Sequence, residues 1–213
     1  MNATDVNPDD LSVCDGVKRL FNFLKGRIPT YVVPDFASDR TVRSFADIYI
    51  KDIADYYCSD RISRSNWTQH TATTFFKTSQ FLRFVCDFEV GNRHDGAIRS
   101  ESGEMYLCAE WEYDTNSIFK EKGEIEKLYR TASANKHCDA MLFTYKVESE
   151  FNGFVEQVYN KWNSFTKKDD QCRLYLLTAL FEKDKEQNIR YFTGLRTVVF
   201  ALEQIELWDD NLL

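Results

Sequence analysis

The amino-acid sequence predicts an α/β fold with a mixed central β-sheet flanked by helices. The run Asp139–Val147 (DAMLFTYKV) is almost continuously apolar, which is typical of a buried strand that lies parallel to its neighbour. Other strand-like runs alternate with stretches whose apolar residues recur at helical spacing. The predicted order is a group of helices followed by β-β-α-β-α-β-β.

The composition is that of a globular protein with a sizeable core. Of 213 residues, 43% are hydrophobic and 15% aromatic. We predict an N-terminal helical extension over residues 1–65, packed on an α/β core over residues 66–213. No apolar run has the length of a membrane span, and residues 1–10 are polar. We therefore expect no membrane segment, no signal peptide and a cytoplasmic location, or a nuclear one in a eukaryote.

Charge and cysteine usage narrow the function classes. The net charge of −7 disfavours a broad basic surface for nucleic acid, although it permits a local basic cleft. The six cysteines form no CxxC pair, and several lie in apolar strand-like runs, so we expect buried free thiols rather than disulfides or zinc ligands. The sequence has no Gly-rich phosphate loop, so no nucleotide cofactor is expected.

The elements follow from spacing and turn residues. Apolar residues predict a helix from Val17 to Leu24, a second that Ser38 or Asp39 caps, and a third from Trp67 to about Phe84. The segment Cys86–Val90 is compatible with the end of that helix or with a first strand. Later elements are a helix from Asn116 or Ser117, a helix from Ser149 or Glu150, strands at Cys172–Phe181 and Ile189–Leu202 with a break at Gly194, and a short helix in the tail to Leu213.

The stretch Arg93–Asp114 resembles two strands joined by a tight turn, and it carries three notable acids. Glu110 and Glu112 share a face because side chains alternate along a strand. A two-residue loop at Ser102 and Gly103 would place Asp95 opposite Glu110, whereas a slip of one residue would turn Asp95 to the other face. Crowded carboxylates favour a divalent cation such as Mg²⁺, Mn²⁺ or Ca²⁺. The alternative is an exposed hairpin with solvated acids.

This pattern resembles the PD-(D/E)xK nuclease superfamily, which has the restriction-endonuclease-like fold. The segment HDGAI matches the Asp element at Asp95, and Glu110-Trp111-Glu112 matches the second element. Glu112 stands where the superfamily usually has lysine. The branch that includes the restriction enzyme BamHI also has glutamate at this position. The resemblance implies that Asp95 and Glu110 bind Mg²⁺ or Mn²⁺, with Glu112 as a ligand or as the base for the attacking water.

The resemblance also bears on the missing lysine and on partners. Lys120 and Lys122, on the following helix, are the nearest candidates to replace it. The implied function is a metal-dependent endonuclease that acts on DNA in restriction, defence or repair, and a homodimer is compatible with it. The alternative is a catalytically inactive nuclease-fold protein that acts as a protein-interaction or regulatory module. The acidic balance and the missing lysine favour this alternative.

Overall fold

The structure, a computed structural model, describes residues 37–56, 64–90, 93–167, 170–184, 189–201 and 204–209. The helix predicted from Val17 to Leu24 lies outside these residues, and the predicted boundary after residue 65 stays a prediction. In chain order the described helices and strands are α1 (Ala37–Tyr56), α2 (Arg64–Leu82), β1 (Val85–Val90), β2 (His94–Arg99), β3 (Met105–Trp111), α3 (Thr115–Ile118), α4 (Glu124–Ala134), β4 (Asp139–Val147), α5 (Phe151–Asn163), β5 (Leu174–Asp184), β6 (Ile189–Ala201) and β7 (Gln204–Asp209).

The strands of the described residues form one seven-stranded sheet, in which spatial order follows chain order from β1 to β7. β3, β4 and β5 are parallel, and every other neighbouring pair is antiparallel. The helices α4 and α5 stand in the connections between the parallel strands, where such crossovers are required. The prediction of an α/β fold with a mixed central sheet and flanking helices is confirmed.

Helices cover both faces of the sheet, so β4 is buried on both sides. Phe143 of β4 packs in one core with Phe45 of α1 and Phe75 of α2. Its neighbour Leu142 points to the other core, where it packs with Leu128 of α4 and residues of α5. This two-sided burial explains why the β4 sequence is apolar at nearly every position. Along α5 the buried residues recur at three- and four-residue spacing, namely Phe151, Phe154, Val158 and Trp162.

The sheet has a further strand before the hairpin, which the sequence left undecided. Residues Val85–Val90 form β1 against β2, so the open choice between helix end and strand is decided for the strand. Arg83, with a φ of 59°, terminates α2 just before it. The break predicted at Gly194 does not interrupt β6, which is continuous. The ladder is irregular there, however, because Leu180 pairs with Gly194 and Phe181 with Phe192, so Thr193 is an extra residue.

The sheet also extends at its other edge. The short helix predicted in the tail is wrong for Gln204–Asp209, which pairs along β6 as β7. Trp208 is buried, whereas Ile205 and Leu207 are 53% and 57% exposed. This alternation is that of a strand with one solvated face. A strand here can also hydrogen-bond to the backbone groups of β6, which a helix would leave unpaired.

A network of charged side chains fastens α1 to the beginnings of β4 and β5. The Arg173 guanidinium donates to Asp139 Oδ2 at 2.8 Å and to Asp39 Oδ1 at 3.1 Å. Ser38 donates to Asp139 as well, and the Tyr175 hydroxyl donates to Asp39. Because these groups are buried or half-buried, each charge needs the partner that the other element supplies.

Candidate active site

The hairpin of β2 and β3 brings the two acids of the motif together. Gly96 faces Ala109 across the ladder, and the next pair in this register is Asp95 with Glu110. This is the predicted register. The Gly96 position has no room for a side chain, because an added Cβ would lie 2.7 Å from Cε1 of Phe75.

The loop of this hairpin differs from the one predicted. Ser100 N–H donates to Glu104 O, so the loop has three residues rather than the two at Ser102 and Gly103. Gly103 has a φ of +89°, which favours glycine. A register shift between Ile98 and Arg99 absorbs the additional residue, and the pairing beyond it is therefore unchanged.

A cavity of about 210 Å³ lies at the Asp95 end of this hairpin, and we call it the acidic cavity. The three acids that the sequence singled out, Asp95, Glu110 and Glu112, all line it. Glu124 and Lys127 join them from the beginning of α4. The hairpin and α4 therefore supply four carboxylates and one ammonium to one small space.

Glu110 is the most enclosed of these acids, at 2% exposed. Its Oε1 accepts from Lys127 Nζ at 2.7 Å and lies 2.6 Å from His94 Nδ1. His94 Nε2 is in turn 2.6 Å from the Thr131 hydroxyl, and Lys127 Nζ also donates to Glu124 at 3.2 Å. A chain of polar contacts thus runs from α4 through His94 and Lys127 to the carboxyl group of Glu110.

The enclosure changes the protonation of these groups. Burial raises the pKa of Glu110 to about 9, with Lys127 acting against the shift and Glu124 and Asp95 adding to it. Burial likewise raises the pKa of Asp95 and lowers that of His94 to about 4. Burial opposes the charge on Lys127, but its hydrogen bond to Glu110 and the charge there raise its pKa. At neutral pH, Glu110 keeps a proton beside a neutral His94 and a charged Lys127.

Asp95 and Glu112 have partners of their own. Asp95 Oδ2 accepts from the Trp111 backbone N–H at 2.8 Å, and Glu112 Oε1 accepts from the Asp114 N–H at 2.7 Å. The three acids line the same cavity but are not gathered around one point. Within the described parts of the chain, no group of three or more His, Cys, Asp or Glu side chains is arranged to hold a metal ion.

The lysine beside the acids is Lys127, and the sequence pointed elsewhere. Lys120 and Lys122, the predicted candidates, are not among the residues that line the acidic cavity. The helix expected from Asn116 or Ser117 is interrupted, since α3 ends at Ile118 and α4 begins at Glu124. Gly123 permits the tight connection, because a Cβ there would lie 2.5 Å from the Ser117 carbonyl oxygen.

Two further site residues were not assigned from the sequence. His94 is not an exposed residue of the hairpin, because it is 1% exposed between Glu110 and Thr131. Lys127 and Thr131 are four residues apart on α4, so they reach the same side of that helix. This spacing is the signal that could have identified them once the start of α4 was known.

Residues from the beginning of α2 also line the acidic cavity. Arg64, Trp67 and Thr68 line it there, beside Tyr113. Trp67 is 1% exposed, and its ring lies 5.8 Å from that of Tyr113. Its indole N–H has no hydrogen-bond partner among the described residues. These residues therefore differ chemically from the carboxylates that line the same cavity.

The described cysteines are separate from this cavity. Cys86, Cys108, Cys138 and Cys172 carry free thiols, as predicted, with Cys108 and Cys138 buried and the other two half-buried. The predictions for Cys14 and Cys58 lie outside the described residues. Cys138 and Cys172 line another cavity, of about 430 Å³, at the edge of the sheet where β4 and β5 begin.

Comparisons with known proteins assign no family. No family model matches the chain, and a search of curated proteins finds no significant match. Among the helices that the structure describes, none has the length and apolar character needed to cross a membrane.

Proposed function

We propose that this protein is a metal-dependent endonuclease that hydrolyses phosphodiester bonds in DNA, with Asp95, Glu110 and Glu112 as its acidic site. The observation that carries the proposal is the single cavity that these three carboxylates line together with Lys127. Acids from two neighbouring strands beside a lysine are the arrangement that the resemblance to the PD-(D/E)xK superfamily leads us to expect.

The restriction-endonuclease-like fold is part of this proposal. An antiparallel hairpin that carries both acidic elements supports it, because β2 contributes Asp95 and β3 contributes Glu110. A helical segment and a parallel strand then follow the hairpin, in the order that the resemblance implies.

The donor chemistry of the cavity fits Mg²⁺ or Mn²⁺. These ions prefer oxygen ligands, and the cavity offers four carboxylates. If all four acids were ionised, the cavity would have two more negative than positive charges. The acids are Asp95, Glu110, Glu112 and Glu124, and the cations are Arg64 and Lys127. Glu110 relieves part of this excess by keeping a proton, and a divalent cation would take the proton's place.

Asp95 and Glu110 would hold the metal, and Glu112 is available as a further ligand or as the base for water. When bound, the ion supplies a Lewis acid that lowers the pKa of a water molecule and neutralises charge on phosphate. Lys127 keeps a positive charge 2.7 Å from Glu110, and this charge would help to stabilise a more negative transition state. We therefore assign Lys127 the role of the lysine that Glu112 replaces in the motif.

A second candidate function is supported by the same contacts. Glu110 is already bound by His94 and Lys127, and Asp95 accepts from a backbone N–H, so the acids are satisfied without a metal. A nuclease fold that has lost its chemistry and acts through protein contacts would have such a site. Metal binding distinguishes the two functions.

Cleavage of supercoiled DNA in Mg²⁺ or Mn²⁺ tests the proposal. Glu110→Gln keeps the shape and hydrogen-bonding capacity of the side chain but removes the acid. We expect it to lower the cleavage rate by about 100-fold or more. Glu104→Gln is the matched control, because Glu104 is exposed in the same hairpin and does not line the cavity. It should cleave as the wild type does.

Calorimetric titration with Mn²⁺ completes the experiment. Binding by the wild type and not by Glu110→Gln supports the metal site. Equal cleavage by the wild type and Glu110→Gln would refute the assignment of Glu110. Neither cleavage nor metal binding by the wild type would favour the non-catalytic function.

A further inference from the structure

The acidic cavity needs a surface that holds the substrate phosphate away from its own carboxylates. We propose that Arg64, Trp67 and Thr68, at the beginning of α2, form this surface and bind a backbone phosphate of the nucleic acid. We call these three residues the α2 wall. The inference rests on the proposed function and deepens it, because it names the residues that contact the substrate.

The indole of Trp67 is the first observation. Its N–H is a hydrogen-bond donor only, and it is buried without a partner among the described residues. A buried donor that lacks a partner is unfavourable, and most native proteins satisfy such groups. The ring is held in place by stacking 5.7 Å from Phe143 and by contact with Tyr113. Trp67 is therefore a lining residue of the cavity that carries a fixed donor with no partner among the described residues.

Arg64 supplies positive charge to the same wall. It is the first residue of α2, is exposed, and has no ion pair with any described residue although four acids line the cavity. α2 has 19 residues, and its first turn contains no acidic side chain. Among the described residues, therefore, no acidic side chain of the first turn offsets the positive end of the helix dipole, and no ion pair neutralises the guanidinium.

Thr68 adds a hydroxyl group, which can donate to an oxygen of the same ligand. The α2 wall thus combines a guanidinium, an indole N–H, a hydroxyl and a helix N-terminus. These are the groups that contact phosphate in nucleic-acid complexes. The carboxylates of the acidic cavity repel an anion, so the phosphate is expected to lie against α2.

Salt dependence of DNA binding tests this inference. The probes are a fluorescein-labelled 20-base-pair DNA duplex and its single strand, and fluorescence anisotropy is measured in EDTA and in Mg²⁺ over a series of salt concentrations. Arg64→Gln removes one phosphate contact, so the slope of log K against log salt should become smaller by about one. At about 0.1 M salt this corresponds to roughly eightfold weaker binding.

The matched control is Arg83→Gln, which removes an exposed arginine immediately after the other end of α2. It changes the net charge equally, and we expect the slope to stay as in the wild type. Trp67→Phe removes the N–H but keeps an aromatic ring. It should weaken binding several-fold without changing the slope, and its thermal unfolding is measured alongside to verify that it folds.

The inference is overturned if Arg64→Gln and Arg83→Gln have the same slope, or if the wild type does not bind either probe. A change with Arg64→Gln but no loss with folded Trp67→Phe would remove Trp67 from the wall. DNA binding through Arg64 without cleavage would uphold the wall and refute the nuclease proposal. DNA cleavage by the wild type without any effect of Arg64→Gln on binding would support the nuclease proposal and refute the α2 wall.

Discussion

Replacement of Glu110 with glutamine should remove an alkaline loss of stability. In the folded protein the pKa of Glu110 is about 9, whereas the ordinary value of a glutamic acid is 4.5. Between these values the folded state holds a proton that the unfolded state has released. The free energy of unfolding then falls by about 1.4 kcal/mol for each pH unit. Glutamine has no proton to lose, so the variant should lack this slope.

The sign differs for the buried histidines. Burial lowers the pKa of His94 and of His70 to about 4 from 6.5, so their contribution raises stability as pH rises between these values. Above about pH 7.5 they contribute little further change, and the falling contribution of Glu110 remains. The raised pKa of Asp95 acts in the same direction as that of Glu110. The wild type should therefore be most stable near pH 6.5 and lose about 1 kcal/mol by pH 8, because the histidines still offset part of the roughly 2 kcal/mol that Glu110 alone loses over this range.

Urea unfolding followed by tryptophan fluorescence measures this loss. The wild type, Glu110→Gln and the hairpin control Glu104→Gln are compared between pH 6.5 and 8 in EDTA at constant ionic strength. We expect the stability of the wild type and of Glu104→Gln to fall together by about 1 kcal/mol, whereas that of Glu110→Gln should not fall. Identical slopes for all three proteins would show that Glu110 is ionised at neutral pH, and our account of the cavity would be wrong.

Three other substitutions follow from the contacts. Lys127→Met should lower DNA cleavage by about 100-fold because it removes the charge beside the acids, while Lys120→Met, outside the cavity, should cleave normally in a plasmid-nicking assay. Asp139→Asn should lower the free energy of unfolding by about 2 kcal/mol in urea titration, since it weakens charged hydrogen bonds in a buried network; an unchanged midpoint would contradict this. Gly96→Ala should cost about 1–3 kcal/mol, seen as a lower melting temperature, because the new Cβ would overlap Phe75.

The sequence predicted a strand correctly where its hydrophobic pattern was strong. Nearly continuous apolar character identified β4 with its correct bounds, because a strand buried on both faces lacks the regular alternation with polar residues. β7 gave no such signal, since Ile205 and Leu207 are exposed and the segment is short. Its conformation depends on the free edge of β6, which only the assembled sheet provides.

At the site, too, the sequence predicted what local pairing determines and missed what depends on the packed structure. The facing positions of Asp95 and Glu110 follow from local hairpin register, and a loop of the wrong length still gave them correctly because a bulge compensated. Lys127 could not be preferred over Lys120 or Lys122 from spacing alone. The deciding fact is the tight connection at Gly123, which ends one helix and begins another.

The network around Arg173 has a consequence for how the protein can be shortened. A fragment that begins at residue 66, the predicted start of the core, would lack α1 and with it Ser38 and Asp39. Arg173 would keep Asp139 but lose its second carboxylate, and the Phe45 ring would leave a void in the core. An expression fragment designed for crystallography or NMR should therefore begin before Ala37.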